Sequence, residues 1–274
     1  MNMELSVIIP IHEYNETVEK YLKIALDSIK NQEDINNEFP DVVVVAASSA
    51  IKENLDKLVH SFGLPFTIQI LVNDQGNTSF QGQVNFGVSK INTKYFTILE
   101  FDDEFSVRYL KNYKLYTSVY PNVDLFMPII VEVNEQNQPL KLTNEPVWSK
   151  QFVGENGVIG YLNSRVLSQY SDFKISGSIF KTEEYKTNGM LKTKIELTFN
   201  YELLLRYVNM GSKIFVIPKT IYKHVATRPD SLFAKYAVTM TLKERKFWFD
   251  VAKKESNFST DREINKSELS ISVV

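Results

Sequence analysis

The sequence predicts an α/β fold, a mainly parallel sheet with helices on both faces, from three observations. Short continuous apolar runs rich in β-branched residues alternate with stretches whose apolar residues recur at helical spacing. Strands covered on both faces read as such runs, and parallel strands need helical crossovers. Finally, the run from Tyr95 to Leu99 breaks into Glu100, Asp102, Asp103 and Glu104. Ligands of open α/β sheets bind beyond the carboxyl ends of strands, so this end offers hard oxygen ligands where a divalent cation and a phosphate-bearing substrate would meet. The plain alternative is an acidic turn.

Taken in order, Leu5 to Ile11 reads as a strand, and Thr17 to Asn31 as a helix whose Val18, Leu22, Ala25, Leu26 and Ile29 share a face. The unit recurs: strand Asp41 to Ala47 with helix Ile51 to Phe62, then strand Phe66 to Val72 with helix Gln81 to Ile91. Strand Tyr95 to Phe101 and helix Val107 to Tyr120 follow. Beyond them the pattern loosens into strand Asp124 to Val133, turn Asn134 to Pro139, helix Val158 to Tyr170, strand Ile175 to Phe180 and helix Ile195 to Asn209. Lys213 to Ile217 and Thr220 to Val225 read as two short strands. A long helix is expected from Pro229 to Lys254, with Phe233, Met240, Phe247, Trp248 and Val251 on or near one stripe, too apolar for a solvated arm. It is expected to pack on the preceding domain, or to join two copies in a homodimer rather than a monomer. The polar stretch after Ser256 reads as a mobile tail.

The 274 residues suffice for a full core. A net charge of −2 gives no reason to expect nucleic acid or anionic lipid as a partner. With no cysteine, disulfides, thiolate metal sites and cysteine nucleophiles are excluded. No apolar stretch approaches the roughly 20 residues that span a bilayer, and no cleavable signal opens the chain, so a cytoplasmic protein acting on small molecules or glycans is expected.

Several short motifs occur in one order. Ser6-Val7-Ile8-Ile9-Pro10-Ile11-His12 opens the first strand and loop, Asn85-Phe86-Gly87 lies in the third helix, and Leu99-Glu100-Phe101-Asp102-Asp103 closes the fourth strand. Tyr201-Glu202-Leu203-Leu204-Leu205-Arg206 comes later, and His224, Arg228 and Ser231 follow the last strand. In this order the chain resembles the family 2 glycosyltransferases of the GT-A fold. The resemblance implies a catalytic domain over residues 1–228, with a nucleotide-sugar half at 1–105 and an acceptor half at 106–228. The helix at 229–256 and the tail at 257–274 lie outside it.

What the resemblance implies is transfer of a sugar, usually with inversion, from a nucleoside-diphosphate sugar to a glycan or glycoconjugate acceptor, with Mn²⁺ or Mg²⁺ bridging the diphosphate. Asp102 is expected as the direct metal ligand, with Asp103 next and His224 able to join. Glu100 replaces the first aspartate of the usual motif and is expected on the ribose or a metal-bound water. Arg228 suits phosphate oxygens in fork geometry, or is a surface charge. The loop Pro10, His12, Tyr14 falls where the family holds base and ribose; Tyr14 either stacks on a base or packs. The same half contributes Asn85 and Phe101. The second strand ends Val45-Ala46-Ala47-Ser48-Ser49 where the family usually has aspartate, which weakens a UDP-sugar donor without removing it as the favoured one. Asp74 either substitutes or belongs to a turn.

An inverting enzyme also needs a carboxylate to accept the acceptor proton. Asn200 stands where the family's catalytic aspartate would be and cannot act as a base. Glu202 is the preferred replacement and Glu196 the second choice, although Glu202 at i, i+4 from Arg206 also reads as an ordinary helix-face pair. Trp148 reads either as a sugar platform or as a packed tryptophan. Two other readings stand beside the enzyme: a non-catalytic nucleotide- or glycan-binding relative, and a nucleotidyltransferase, against which the absent Gly-rich loop counts.

Overall fold

The computed structural model describes residues 3–36, 38–74, 76–156, 158–226, 228, 231, 236 and 238–256. Strand β1 (Leu5–Ile11) is wholly buried and lies between β2 (Asp41–Ala46) and β4 (Tyr95–Ile98), both parallel to it, with β3 (Ile68–Val72) parallel on the far side of β2. Helices α1 (Glu16–Lys30), α2 (Ser49–His60) and α3 (Phe80–Ser89) make the crossovers. Each begins at a side-chain cap, Asn15, Ser48 and Ser79 accepting from Val18, Ile51 and Gly82 N–H, which satisfies an end donor that no helix bonds internally. Leu5, Val7, Ile9 and Ile11 enter the core that contains the α1 stripe, whereas Ile8 enters the other core with Val84 and Val88 of α3. A Cβ on Gly87 would stand 2.9 Å from Ile8 Cγ2 and Val45 Cγ2, so glycine is what lets α3 press against the sheet.

The sheet changes character at β4. Its order is β3-β2-β1-β4-β9-β6-β10-β5, with β9 (Ile179–Lys181) antiparallel to both β4 and β6 (Leu125–Val133). Strand β10 (Ile214–Val225) runs parallel to β6 and antiparallel to the short β5 (Glu104–Phe105). The fold is therefore α/β as expected, with a parallel half and a mixed half. Two strands expected at 213–217 and 220–225 are one, its register shifting between Ile217 and Tyr222. Pro218, which has no N–H for the ladder, explains the irregularity. Strand β7 (Pro139–Thr143) follows the expected turn and pairs with β6, an added edge the pattern did not announce.

The helix expected over 158–170 resolves into β8 (Tyr161–Leu162), paired with β10, and α6 (Ser164–Gln169), capped by Asn163. Helices α4 (Tyr109–Val119), α5 (Lys150–Asn156), α7 (Thr182–Thr187) and α8 (Phe199–Asn209) complete the domain. The last helix, α9, spans Leu242–Glu255 rather than starting at Pro229, because Thr241 and Glu244 form a reciprocal capping box that sets its first turn. Phe233 and the tail 257–274 lie outside the described residues. Helix α9 lies on α8, where the Phe249 ring meets Tyr201 edge-on, Thr198 Oγ1 donates to the Trp248 carbonyl and Ala252 is fully buried. Among the described residues no helix is long and apolar enough to cross a membrane.

Candidate active site

The chain leaves β4 and turns at Glu100 to Asp103, closed by the Asp103 N–H donating to the Glu100 carbonyl at 3.0 Å. It then re-enters the sheet as β5 against the end of β10, which brings Asp103 up to Tyr222, His224 and Val225. Asp103 is fully buried: it accepts from Tyr222 Oη at 2.8 Å and the Val225 N–H at 3.1 Å, and lies 3.0 Å from His224 Nδ1. Glu100 donates its N–H to Tyr222 Oη at 3.2 Å, and its carboxylate accepts from the Ser176 hydroxyl at 2.5 Å. Gly177 makes this closeness feasible; its φ is +69°, and a Cβ there would stand 2.2 Å from the Tyr222 ring.

Ligand atoms of Glu100, Asp103 and His224 all lie within 4.8 Å of one another. Asp102 points elsewhere, into an ion pair with Arg228, Nη2 to Oδ2 at 2.7 Å, with both side chains buried. The guanidinium also lies over the Phe101 ring, 5.2 Å from its centroid, and 5.8 Å from that of Tyr21. Expected as the direct ligand, Asp102 is thus the partner of Arg228, and Glu100 instead joins Asp103 and His224.

Electrostatics show why such a cluster suits a cation. Burial raises the Glu100 carboxyl, and the charge of Asp103 raises it further. Burial also raises Asp102, to about 8, with Asp103 and Glu100 adding to it and Arg228 and His224 opposing. For His224, burial favours the neutral ring, but the charge and hydrogen bond of Asp103 outweigh it and the net shift is upward. Acids therefore crowd one another in a space from which water is largely excluded. Two carboxylates and an imidazole form a donor set that fits Mn²⁺ or Mg²⁺, and an imidazole held through Nδ1 keeps Nε2 for a ligand.

The remaining expected residues divide. Pro10 is buried on β1 in register with Val45; His12 and Asp74 are exposed just beyond β1 and β3. Tyr14 is half-buried against the core, its hydroxyl pushed up to about 12 by burial and by Glu19, which fits packing better than a free stacking face. Asn85 spends its amide inside the fold: Nδ2 donates to the Leu191 carbonyl at 2.7 Å, while Oδ1 accepts from Leu191 N–H and Tyr185 Oη. Trp148 Nε1 donates to the Val216 carbonyl at 2.6 Å, and its ring packs edge-on to Phe215, so it is a packed tryptophan.

Glu202 is fully buried on α8, where Arg206 grips it with Nε to Oε1 at 2.8 Å and Nη2 to Oε2 at 2.9 Å, and Lys192 stands 3.2 Å away. Arg206 also donates to the carbonyls of Asn188 and Met190. All this makes Glu202 the anchor of a closed structural ion-pair cluster. Asn200, in the first turn of α8, has its Oδ1 buried without a hydrogen-bond partner among protein atoms. Glu196, the second choice, is exposed in the segment before α8.

Tyr222 and Ser176, which hold Asp103 and Glu100, escaped the sequence reading. Tyr222 carried a usable signal, since residues two apart on a strand share a face and His224 was already in view. Ser176 carried none.

The sequence model of the family described as glycosyl transferase family 2 matches residues 6–173. Solved structures share the fold. TarS 1–349 of S. aureus in complex with UDP-GlcNAc superposes with a TM-score of 0.66 at 14% identity, covering 95% of this chain and 68% of that one. The same protein with UDP gives 0.57 at 16%, covering 99% and 76%. Mannosyltransferase PcManGT from Pyrobaculum calidifontis, in complex with GDP-Man and Mn²⁺, gives 0.58 at 13%, covering 92% and 70%. A search of curated proteins returned no match.

Proposed function

Since the chain belongs to glycosyl transferase family 2 and is a glycosyltransferase, we propose that it takes its sugar from a nucleotide sugar and carries out cation-assisted, inverting transfer to a glycan or glycoconjugate. The observation that carries this reading is the meeting of Glu100, Asp103 and His224 beyond the β4 end, beside the Asp102–Arg228 pair. Those three residues would hold Mn²⁺ or Mg²⁺, which when bound supplies charge stabilisation to the diphosphate leaving group. The complexes of TarS with UDP-GlcNAc and of PcManGT with GDP-Man and Mn²⁺ support a donor of this class; a UDP-sugar is our preferred donor.

In this reading Arg228, turned from Asp102, offers its fork to phosphate oxygens, with Phe101 and Tyr21 holding the guanidinium plane. Pro10, His12 and Asp74 line the base and ribose from the ends of β1 and β3. Because Glu202 is locked to Arg206 and Lys192, we assign acceptance of the acceptor proton to Glu196. We also place the protein in the cytoplasm and keep residues 1–228 as the catalytic domain, with α9 packed on it.

Calorimetry of UDP-, GDP- and dTDP-sugars with Mn²⁺ and with chelator, followed by assay of donor hydrolysis in the same samples, tests this. Binding and hydrolysis that need the cation are the expected result. Equal affinity in chelator would reduce the acidic turn to an ordinary one. Glu196→Gln is expected to keep donor affinity and lose transfer, and unchanged turnover would move the base elsewhere.

A further inference from the structure

Lys174 borders the acid cluster from the β6 side and is held there by two unrelated sets of contacts. Its backbone is clamped by Asn144: the Lys174 N–H donates to Asn144 Oδ1 at 3.1 Å, and its carbonyl accepts from Asn144 Nδ2 at 3.0 Å. Asn144 is itself fully buried and bonds the Pro128 carbonyl of β6 at 2.8 Å. The ammonium is fixed separately, 3.1 Å from Glu132 Oε1, with the lysine side chain only 18% exposed and that of Glu132 5%.

Glu132 stands on β6 directly beside His224 on β10. Residues paired in this way on neighbouring strands project from the same face of the sheet. From Lys174 the chain continues two residues to Ser176, whose hydroxyl holds Glu100. Sheet register and chain continuity thus bring the same ammonium towards both Glu100 and His224.

We propose that Lys174, seated by Glu132 and Asn144, is a positioning residue for the donor, a fixed positive charge that draws the anionic diphosphate onto the Glu100–Asp103–His224 site. This rests on the donor and cation reading given above. A fixed ammonium beside a cation site has two consequences of opposite sign: it repels a bare divalent cation and attracts the net-negative complex of that cation with a nucleoside diphosphate. A residue that only braces the loop would affect both bindings in the same direction. Glu132 keeps the Thr143 hydroxyl and Lys141 as partners when Lys174 is removed, so the truncated variant is not left with an orphaned buried carboxylate.

Titration calorimetry of wild type, Lys174→Met and Lys174→Arg tests this with MnCl₂ alone, with UDP and GDP in saturating Mn²⁺, and with uridine and guanosine as phosphate-free controls. In Lys174→Met the diphosphate is expected to bind about tenfold more weakly or worse, the loss of one contact to a charged group. Mn²⁺ alone should bind as tightly or more tightly, the nucleosides should be unaffected, and Lys174→Arg should recover most of the diphosphate affinity. Joint weakening of Mn²⁺ and diphosphate, or unchanged diphosphate affinity, overturns the assignment. Failure of the wild type to bind either diphosphate in Mn²⁺ overturns the donor reading itself, and this inference with it.

Discussion

Two buried acid clusters in this molecule look alike in sequence and differ in their charge balance. Around Glu202, one carboxylate meets Arg206 and Lys192, and the surplus guanidinium N–H groups go to the Asn188 and Met190 carbonyls. Around Asp103, three carboxyls share one arginine and one histidine, and burial with mutual repulsion raises the Glu100 and Asp102 pKa values. The first cluster is complete in itself. The second is in deficit by about one cation, the state expected of a site kept for a ligand rather than for stability.

The largest effect that tests this contrast is on folding. Glu202→Gln should cost about 3–5 kcal/mol, because it leaves the buried Arg206 guanidinium without its carboxylate, whereas Lys192 keeps Glu255, and a denaturant melt reads this directly. A stable Glu202→Gln protein that has lost only transfer would restore Glu202 as the base and dissolve the comparison.

At the other cluster the effect should fall on binding instead. Asp103→Asn keeps the side-chain shape and is expected to weaken Mn²⁺-dependent nucleotide binding by at least about 100-fold, a loss far larger than the fall in stability from setting an amide N–H against the buried donors Tyr222 Oη and Val225 N–H. Asp102→Asn should weaken it less, since its partner is Arg228; the reverse ranking by calorimetry would return Asp102 to the metal.

The deficit also sets a pH dependence. Asp102 titrates at about 8 in the fold, against roughly 4 in an unfolded chain. Between those values the folded state binds more protons than the unfolded one, so stability of metal-free protein falls as pH rises. Thermal melts in chelator should therefore drop between about pH 5 and about pH 8, by more than the 2–4 °C that 1 kcal/mol gives a domain of this size. Added Mn²⁺ should recover more at the higher pH. A melting temperature that rises with pH in chelator would mean that the cluster carries no excess charge. Smallest is Tyr222→Phe, which removes a hydroxyl shared by Asp103 and Glu100 and is expected to cost about 1 kcal/mol, measured by the same melts.

Much was legible locally. The alternation of Val-rich runs with amphipathic stretches and the acids terminating an apolar run are short-range signals, because side-chain periodicity acts within a few residues. They sufficed for the α/β class, the parallel half and the stretch that carries the candidate site. Long-range packing decided the rest. No local pattern says that β9 enters antiparallel between β4 and β6; the capping box Thr241–Glu244 that starts α9 was a local signal the sequence reading passed over. Which acid of Glu100-Phe101-Asp102-Asp103 faces His224 depends on a contact across 121 positions. Whether Glu202 is a base or a brace depends on burial by α8, the loop before it and Lys192. Composition supplies a carboxylate with a charge. Only tertiary structure determines how much water and how many opposite charges surround it, and those set what the group can do.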